Sequence, residues 1–330
     1  MPPSQIVIAG RMGGPATLLN DIARALGDLG HQVLCCPDPD ALHRDTDVLV
    51  ATPRFRCSRQ VLASAPRLRG VVSPVTGIEG IDVTAATELG VIVANGQTRE
   101  NTESLAEATI LMVLAALYDL HGSEAILRQS LTRPLQPTAR MLHGKTIGMV
   151  GFGQIARAMV VRLSGWGVRI LACARRIHTD APGAVTWVTI EELLQASDVV
   201  CVLASLNAAT NRLLDADKLR LLKPGAVLVN TARGAIIDEA ALYEVAVERP
   251  DLRLALDTYV TEPLPPDSPL RSLPNAILTP HMVGHTQESI AAVPATAVEN
   301  VRRIITGDLP LYICNPDVIA RWRSRWRPTG

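Results

Sequence analysis

Three apolar runs in the 330-residue chain end on side chains that can do chemistry. AVLVNTARG delivers Arg233, LALDTYVTEP delivers Asp257 and Glu262, and AILTPHMVG delivers His281. An Arg, a Glu and a His are enough to reduce a carbonyl. The guanidinium holds a carboxylate or polarises a C=O bond. The imidazole, titrating near neutrality, gives or takes the hydroxyl proton. A neighbouring carboxylate fixes its tautomer and stabilises its charged form. Each residue has a plainer alternative. Arg233 could cap a helix, although a TARG turn after a buried strand opposes this. Glu262 sits in a proline-containing loop where solvated acids are common, and His285 competes with His281. His281 is preferred because it follows its strand directly, leaving His285 as the start of the next helix.

Carbonyl reduction needs a hydride source, and GKTIGMVGFGQIARAMVVRL supplies a place for one. A strand, Gly151-x-Gly153-x-x and a helix follow in order, with Ala156 in the third glycine's position. Such a turn lets the backbone approach a pyrophosphate, whose charge then sits on the helix N-terminus. Gly151, Gly153, Gln154 and Ile155 are the candidate contacts. The rival turn IVIAGRMGGP, with Asp38 after the next strand, breaks that spacing at Gly10, Gly13 and Gly14. Pro15 fits a helix start there, so the turn reads as structural.

An NAD site of this kind usually has an acid at the end of the following strand, on the ribose hydroxyls. Here ILACARR ends on Ala174, Arg175 and Arg176. A carboxylate would repel a ribose phosphate, and arginines bind one. Each charge-assisted bond is worth about 1.5–3 kcal/mol, so one contact gives roughly tenfold or more preference. NADP(H) is therefore expected over NAD(H), the alternative being two solvated surface arginines.

These side chains need strands to carry them. IVIAG, QVLCC, VLVAT, GVVS and VIVAN form a first series, and TIGMVG, VRILACA, DVVCVLA, AVLVNTA, LRLALD and NAILTPH a second. Near-continuous Val, Ile, Leu and Ala, alternating with helical stretches such as Thr17–Leu29, indicates parallel strands covered on both faces. The expected fold is α/β, two doubly wound parallel-sheet domains, with a Rossmann cofactor domain inserted into a flavodoxin-like substrate domain. The substrate domain takes residues 1–100 and 287–330 and the dinucleotide domain residues 101–286. Apolar helices over Asn101–Leu120 and Glu288–Ile305 make the crossings, and Ser130–Leu142 is a connecting arm.

Lys plus Arg and Asp plus Glu both number 32, so there is no electrostatic footprint for nucleic acid or a membrane surface. The six cysteines show no CxxC pair and read as reduced core residues, with no metal expected. MPPSQIVIAG lacks a basic leader, and the longest apolar run, ILMVLAAL, is too short to span a bilayer. A soluble, cytoplasmic protein is expected.

At the chemical residues the chain resembles the D-isomer-specific 2-hydroxyacid dehydrogenases. The matching segments are GKTIGMVGFGQIA, LLKPGAVLVNTARGAIIDEAAL, ALDTYVTEP and LPNAILTPHMVG, with weaker matches in VTGIEGID and NTESLAEAT. The resemblance implies Arg233 as substrate anchor, His281 as acid/base and Glu262 as its partner. It implies Asp257 beside the nicotinamide, backbone amides near Thr76 and Gly77 on the substrate carboxylate, and cofactor contacts at Ser205, Thr231, Ala232 and Gly284. The arginine strand end further resembles the glyoxylate and hydroxypyruvate reductases, implying NADPH-dependent reduction of a small 2-keto acid to the D-2-hydroxy acid. Three positions depart from the family pattern. Val75 stands where a glycine is usual, Glu79 where an Asp is usual, and Ser205 where a proline is common.

The family also implies a homodimer through the Asn101–Leu120 helix and the arm. Alternatives on the same scaffold are a dehydrogenase of phosphite or a phosphorylated hydroxy acid, and a dinucleotide-sensing corepressor-like protein. Formate oxidation is disfavoured because that branch pairs its His with a Gln. In PRFRC, an inward Arg54 or Arg56 would favour a second substrate anion, and an inward Phe55 an apolar tail; an ordinary basic surface loop is the alternative. The C-terminal RWRSRWRPTG is expected to be a solvated tail, a flap or a partner contact, with no appended regulatory domain.

Overall fold

The computed structural model describes residues 3–10, 17–36, 40–177 and 179–326. Gly13, Gly14, Pro15 and Asp38 of the rival N-terminal turn lie outside them. The chain divides into two compact units, Met1–Asn101 with Gln287–Gly330, and Thr102–Thr286.

The first unit contains β1 (Gln5–Ala9), β2 (Gln32–Cys36), β3 (Thr46–Ala51), β4 (Gly70–Val72) and β5 (Ile92–Ala94). Among the described residues they form one parallel sheet in the order β2-β1-β3-β4-β5, the doubly wound order of flavodoxin-like folds. The second unit contains β6 (Thr146–Val150), β7 (Arg169–Cys173), β8 (Val185–Trp187), β9 (Val199–Val202), β10 (Val227–Asn230), β11 (Arg253–Leu256) and β12 (Ala276–Leu278). Their order is β12-β11-β10-β9-β6-β7-β8, again all parallel. The order reverses between β6 and β9, where such sheets bind dinucleotides.

The inner strands of each sheet are buried because they are apolar at most positions, whereas the edge strands β2, β8 and β12 are partly exposed. In the second unit, Ile147, Met149, Val199, Cys201, Val227 and Val229 enter one core and Val150, Val200, Val202 and Leu228 the other. Cys201 is one of these core residues, and burial pushes its thiol up to about 12.

Parallel register does the rest of the positioning. Cys173 pairs with Val150, Val150 with Val202, Val202 with Asn230, Asn230 with Leu256 and Leu256 with Leu278. The next residues along the row are Ala174, Gly151, Leu203, Thr231, Asp257 and Thr279. The residues singled out by their chemistry thus leave the sheet along one edge.

Some elements differ from the sequence expectations. The helix expected over Asn101–Leu120 runs Arg99–Leu117, and a second helix, Leu120–Arg128, turns off it by 58°. Asp119, at φ 51°, makes that break. β8 carried no sequence signal because it is a three-residue edge strand with an exposed Thr186 at its centre. Among the described residues no single helix is long and apolar enough to cross a membrane.

The described part of the C-terminal segment is not a solvated tail; residues 327–330 lie outside the described residues. Ile319–Trp326 is a helix docked on the first unit, with Trp322 only 1% exposed. The Trp322 indole N–H donates to the Arg69 carbonyl at 2.7 Å, and the Arg69 guanidinium lies 5.1 Å over the Trp326 ring. Arg325 donates to the carbonyls of Leu89 and Pro66. Trp322→Ala is expected to cost about 3–5 kcal/mol, read as a lower urea midpoint. An unchanged midpoint would mean that the helix does not dock.

Candidate active site

Arg233 emerges from β10 through a turn built by the strand's last residue. Asn230 Oδ1 accepts the Ala232 N–H at 3.0 Å, and its Nδ2 donates to the Arg233 carbonyl at 3.0 Å. Thr231 is tied at 2.8 Å, hydroxyl to hydroxyl, to Thr109 of the Arg99–Leu117 helix. Arg233 itself is extended (φ −144°, ψ 139°) and its Nη1 donates to the Ala232 carbonyl at 2.7 Å. Gly234 is required next, because a Cβ there would overlap the Tyr259 backbone. The loops after β10 and β11 are therefore packed main chain to main chain.

After β11, the Asp257 carboxylate is 1% exposed. Its Oδ1 accepts the Thr279 hydroxyl at 2.7 Å and the Met282 N–H at 3.0 Å. The Tyr259 hydroxyl lies 3.0 Å from the Leu256 and Thr279 carbonyls, to which it can donate. Burial, reinforced by the charge of Asp257, pushes this phenol up to about 12. Glu239 accepts the Val260 N–H at 3.0 Å. Glu262 Oε1 accepts the Tyr259 N–H at 3.2 Å, and both Glu262 oxygens face His281 Nδ1, at 3.0 and 2.8 Å.

A carboxylate only accepts hydrogen bonds, so His281 Nδ1 carries a proton and Nε2 is the nitrogen left to exchange one. His281 has φ 57°, a left-handed conformation that costs a non-glycine residue about 1 kcal/mol or more. The bonds from Asp257 to Thr279 and Met282 bracket it and hold it there. His285, two residues before the Gln287–Thr306 helix, remains exposed. Its ring is nearly parallel to that of His281, at 6.4 Å and 21°. Desolvation of its packed side, then the neighbouring His281, push it below its ordinary value, while Asp257 pulls it up. Among the described residues no carboxylate bonds its ring. The carboxylate partner belongs to His281.

Along the same edge the glycine turn has the form a dinucleotide needs. Gly151 has φ 96°, and a Cβ would lie 2.6 Å from the Ala204 backbone, so the turn is pressed against the loop after β9. Gly153 is the N-cap of the Gln154–Arg162 helix, with no side-chain cap and no acid in the first turn. Its amide end, with Gln154 and Ile155, is free to take an anion. The Ser205 carbonyl accepts the Thr210 hydroxyl at 2.7 Å, and the Gly284 carbonyl the Ser104 hydroxyl at 2.8 Å. Arg175 and Arg176 follow β7, both exposed and without an ion pair among the described residues. These features fit NAD(P). Among the described residues no group of three or more His, Cys, Asp or Glu could hold a metal.

Thr76, Gly77 and Arg54 belong to the first unit. The turn past β4 is closed by Ser73 Oγ donating to the Gly77 carbonyl at 2.6 Å. Asn95 Nδ2 donates to the Thr76 carbonyl at 2.9 Å and Asn101 Nδ2 lies 3.1 Å from its hydroxyl. Arg54 and Arg56 are exposed. Phe55 points inward, but into its own unit's core beside Cys57, Val61 and Ile81, so it offers no apolar wall to a ligand. Asn230, Tyr259, Thr279, Asn95 and Asn101 had not been singled out. For Asn230, Tyr259, Thr279 and Asn95 the sequence signal is a polar side chain at or just past the end of an apolar strand, whereas Asn101 lies in the first turn of the Arg99–Leu117 helix.

The chain is similar to known proteins. The family model described as "D-isomer specific 2-hydroxyacid dehydrogenase, NAD binding domain" matches residues 110–283. The chain is 31% identical over 293 residues to a glyoxylate reductase of Korarchaeum cryptofilum, covering 87% of this chain and 86% of the relative. It is 32% identical over 275 residues to a D-3-phosphoglycerate dehydrogenase of Methanocaldococcus jannaschii, covering 82% of this chain but 52% of the relative. The chain thus spans about half the length of the phosphoglycerate dehydrogenases it matches. Among solved structures it is similar to an NADPH-dependent glyoxylate/hydroxypyruvate reductase of Sinorhizobium meliloti in complex with NADP and malonate. There the TM-score is 0.83, at 26% identity, covering 96% of this chain and 97% of the other.

Tyr259 gives the site a pH signature. An unfolded tyrosine ionises near 10 and this one near 12, so between those values the native state binds more protons than the unfolded chain. The contribution of Tyr259 to stability is fully present below pH 10 and is lost as pH rises through that window. Tyr259→Phe is expected to flatten this alkaline fall in the unfolding midpoint and to remove the last tyrosine to ionise in an ultraviolet titration. An unaltered alkaline slope and titration in the variant would contradict the buried, neutral phenol.

Proposed function

The chain belongs to the D-isomer specific 2-hydroxyacid dehydrogenase family, an NAD(P)-dependent oxidoreductase family, and from that premise we propose that it reduces a small 2-keto acid of the glyoxylate or hydroxypyruvate class to the D-2-hydroxy acid, using NADPH. The observation that carries this reading is the Glu262–His281 pair at 2.8 Å, on the same strand-end edge as Arg233.

Arg233 takes the carboxylate of the keto acid and polarises the adjoining carbonyl. The bound nicotinamide would supply a hydride to the carbonyl carbon. His281 Nε2 gives the carbonyl oxygen its proton, while Glu262 on Nδ1 keeps the ring oriented and offsets its charge. In the reverse direction the same nitrogen takes the hydroxyl proton. Thr76 and Gly77 contribute amides to carboxylate recognition. The Gly153, Gln154 and Ile155 amides beside Gly151 would hold the pyrophosphate, and Arg175 and Arg176 the ribose phosphate. Ser205, Thr231, Ala232, Asp257 and Gly284 would line the nicotinamide end. The named NADPH-dependent reductase among the similar structures supports the cofactor preference.

Exposed Leu111, Leu120, Leu127, Leu135 and Met141 support a homodimer that covers them. A cytoplasmic location is part of the same proposal.

The test is the loss of NADPH absorbance with glyoxylate, hydroxypyruvate, pyruvate, phenylpyruvate and a phosphorylated keto acid, repeated with NADH. Turnover favouring NADPH and a small keto acid is expected. His281→Ala and Arg233→Ala should each lower kcat/KM by roughly 10²–10⁴-fold and leave NADPH binding intact. Parental turnover in either variant would overturn the mechanism.

A further inference from the structure

Arg157 lies in the first turns of the glycine-turn helix, and its N–H donates to the Gly153 carbonyl at 3.1 Å. Its side chain does not point to solvent for its own sake. Nη1 donates to the Asp180 carbonyl at 3.0 Å and Nη2 to the Asp180 carboxylate at 2.7 Å. The guanidinium carbon lies 5.7 Å over the ring of Phe152, the residue between the two turn glycines. Phe152 in turn meets Trp187, the last residue of β8, edge-on at 4.9 Å. The Arg157 side chain is 21% exposed and that of Asp180 is 77% exposed. A held cation therefore grips a solvent-facing acid.

That acid closes the segment carrying Arg175 and Arg176. At its other end the segment is fixed where the Gly151 N–H donates to the Cys173 carbonyl at 2.8 Å. Residue 178 lies outside the described residues, and the described ends of this segment, Cys173 and Asp180, are both tied to the glycine turn and its helix. Free loop residues lose conformational entropy on ordering, and a ligand that meets an ordered loop does not bear that cost. Both terminal nitrogens of Arg157 are occupied by Asp180, so Arg157 works through the loop.

We propose that Arg157 is a positioning residue for cofactor choice: by fastening Asp180 it holds Arg175 and Arg176 where a ribose phosphate meets them. This inference rests on the NADPH reading above. It applies to binding, so its test needs no turnover.

Dissociation constants for NADPH and NADH are measured by calorimetry on the whole protein and on Arg157→Ala, Asp180→Ala, the Arg175→Ala/Arg176→Ala double variant and the triple variant that adds Arg157→Ala. Arg157→Ala is expected to weaken NADPH by roughly threefold to tenfold and to leave NADH within about twofold. Asp180→Ala, which keeps the carbonyl bond, should shift the same way by less. The triple variant should bind NADPH no more weakly than the double variant. Equal weakening of both cofactors, unchanged NADPH affinity, tighter NADPH binding in Asp180→Ala, or an additive loss in the triple variant would each overturn the inference. If the double variant leaves the preference for NADPH unchanged, the NADPH reading fails and the inference with it. If the double variant shifts the preference and Arg157→Ala does not, only the inference fails.

Discussion

Asp257, 1% exposed and directly after the interior strand β11, must find hydrogen-bond donors for its carboxylate or bear the cost of a buried charge. It finds them across the edge of the sheet, in the Thr279 hydroxyl and the Met282 N–H. Those two bonds bracket His281 and make its left-handed backbone tolerable. They leave its ring in one place, with Nδ1 against Glu262. The same loop brings Tyr259 under the Thr279 carbonyl, so Glu262 is braced by the backbone it shares with Asp257. One charged group inside the protein therefore fixes the orientation of two at its surface.

That arrangement depends on a coarser constraint. Parallel strands in matched register end in a row, and a row of strand ends places consecutive loops side by side. Asn230 and Gly234 use this proximity, the first by turning the chain within its own loop and the second by removing the Cβ that would hold β10 and β11 apart. The glycine turn uses it again where Gly151 presses on the loop after β9. The glycine turn with its open helix end and the Glu262–His281 pair can thus share one edge without any long connection between them.

The sheets were legible in the sequence because their inner strands are near-continuous runs of apolar residues, the pattern of parallel strands between helix layers. The glycine turn, the Arg175–Arg176 strand end and the Arg, Glu and His segments were legible because each joins a chemical residue type to a strand end. What was hidden depends on tertiary contacts. β8 has too few residues to show a period. The break at Asp119 interrupts an apolar stretch that reads as one helix. Arginine-rich RWRSRWR masks the single buried Trp322 that docks it. Phe55 sits in a basic loop yet serves the core. Asn230, Thr279 and Tyr259 are ordinary residues until the loops they join are folded beside one another.

The central claim is that Glu262 acts through His281. It is tested most directly by a double-mutant cycle on kcat/KM for keto-acid reduction, with Glu262→Ala, His281→Ala and both together. The expected result is a loss of roughly tenfold to a hundredfold for Glu262→Ala when His281 is present, and almost none when it is absent. An equal loss in the two backgrounds would contradict the pairing and leave Glu262 with a separate role.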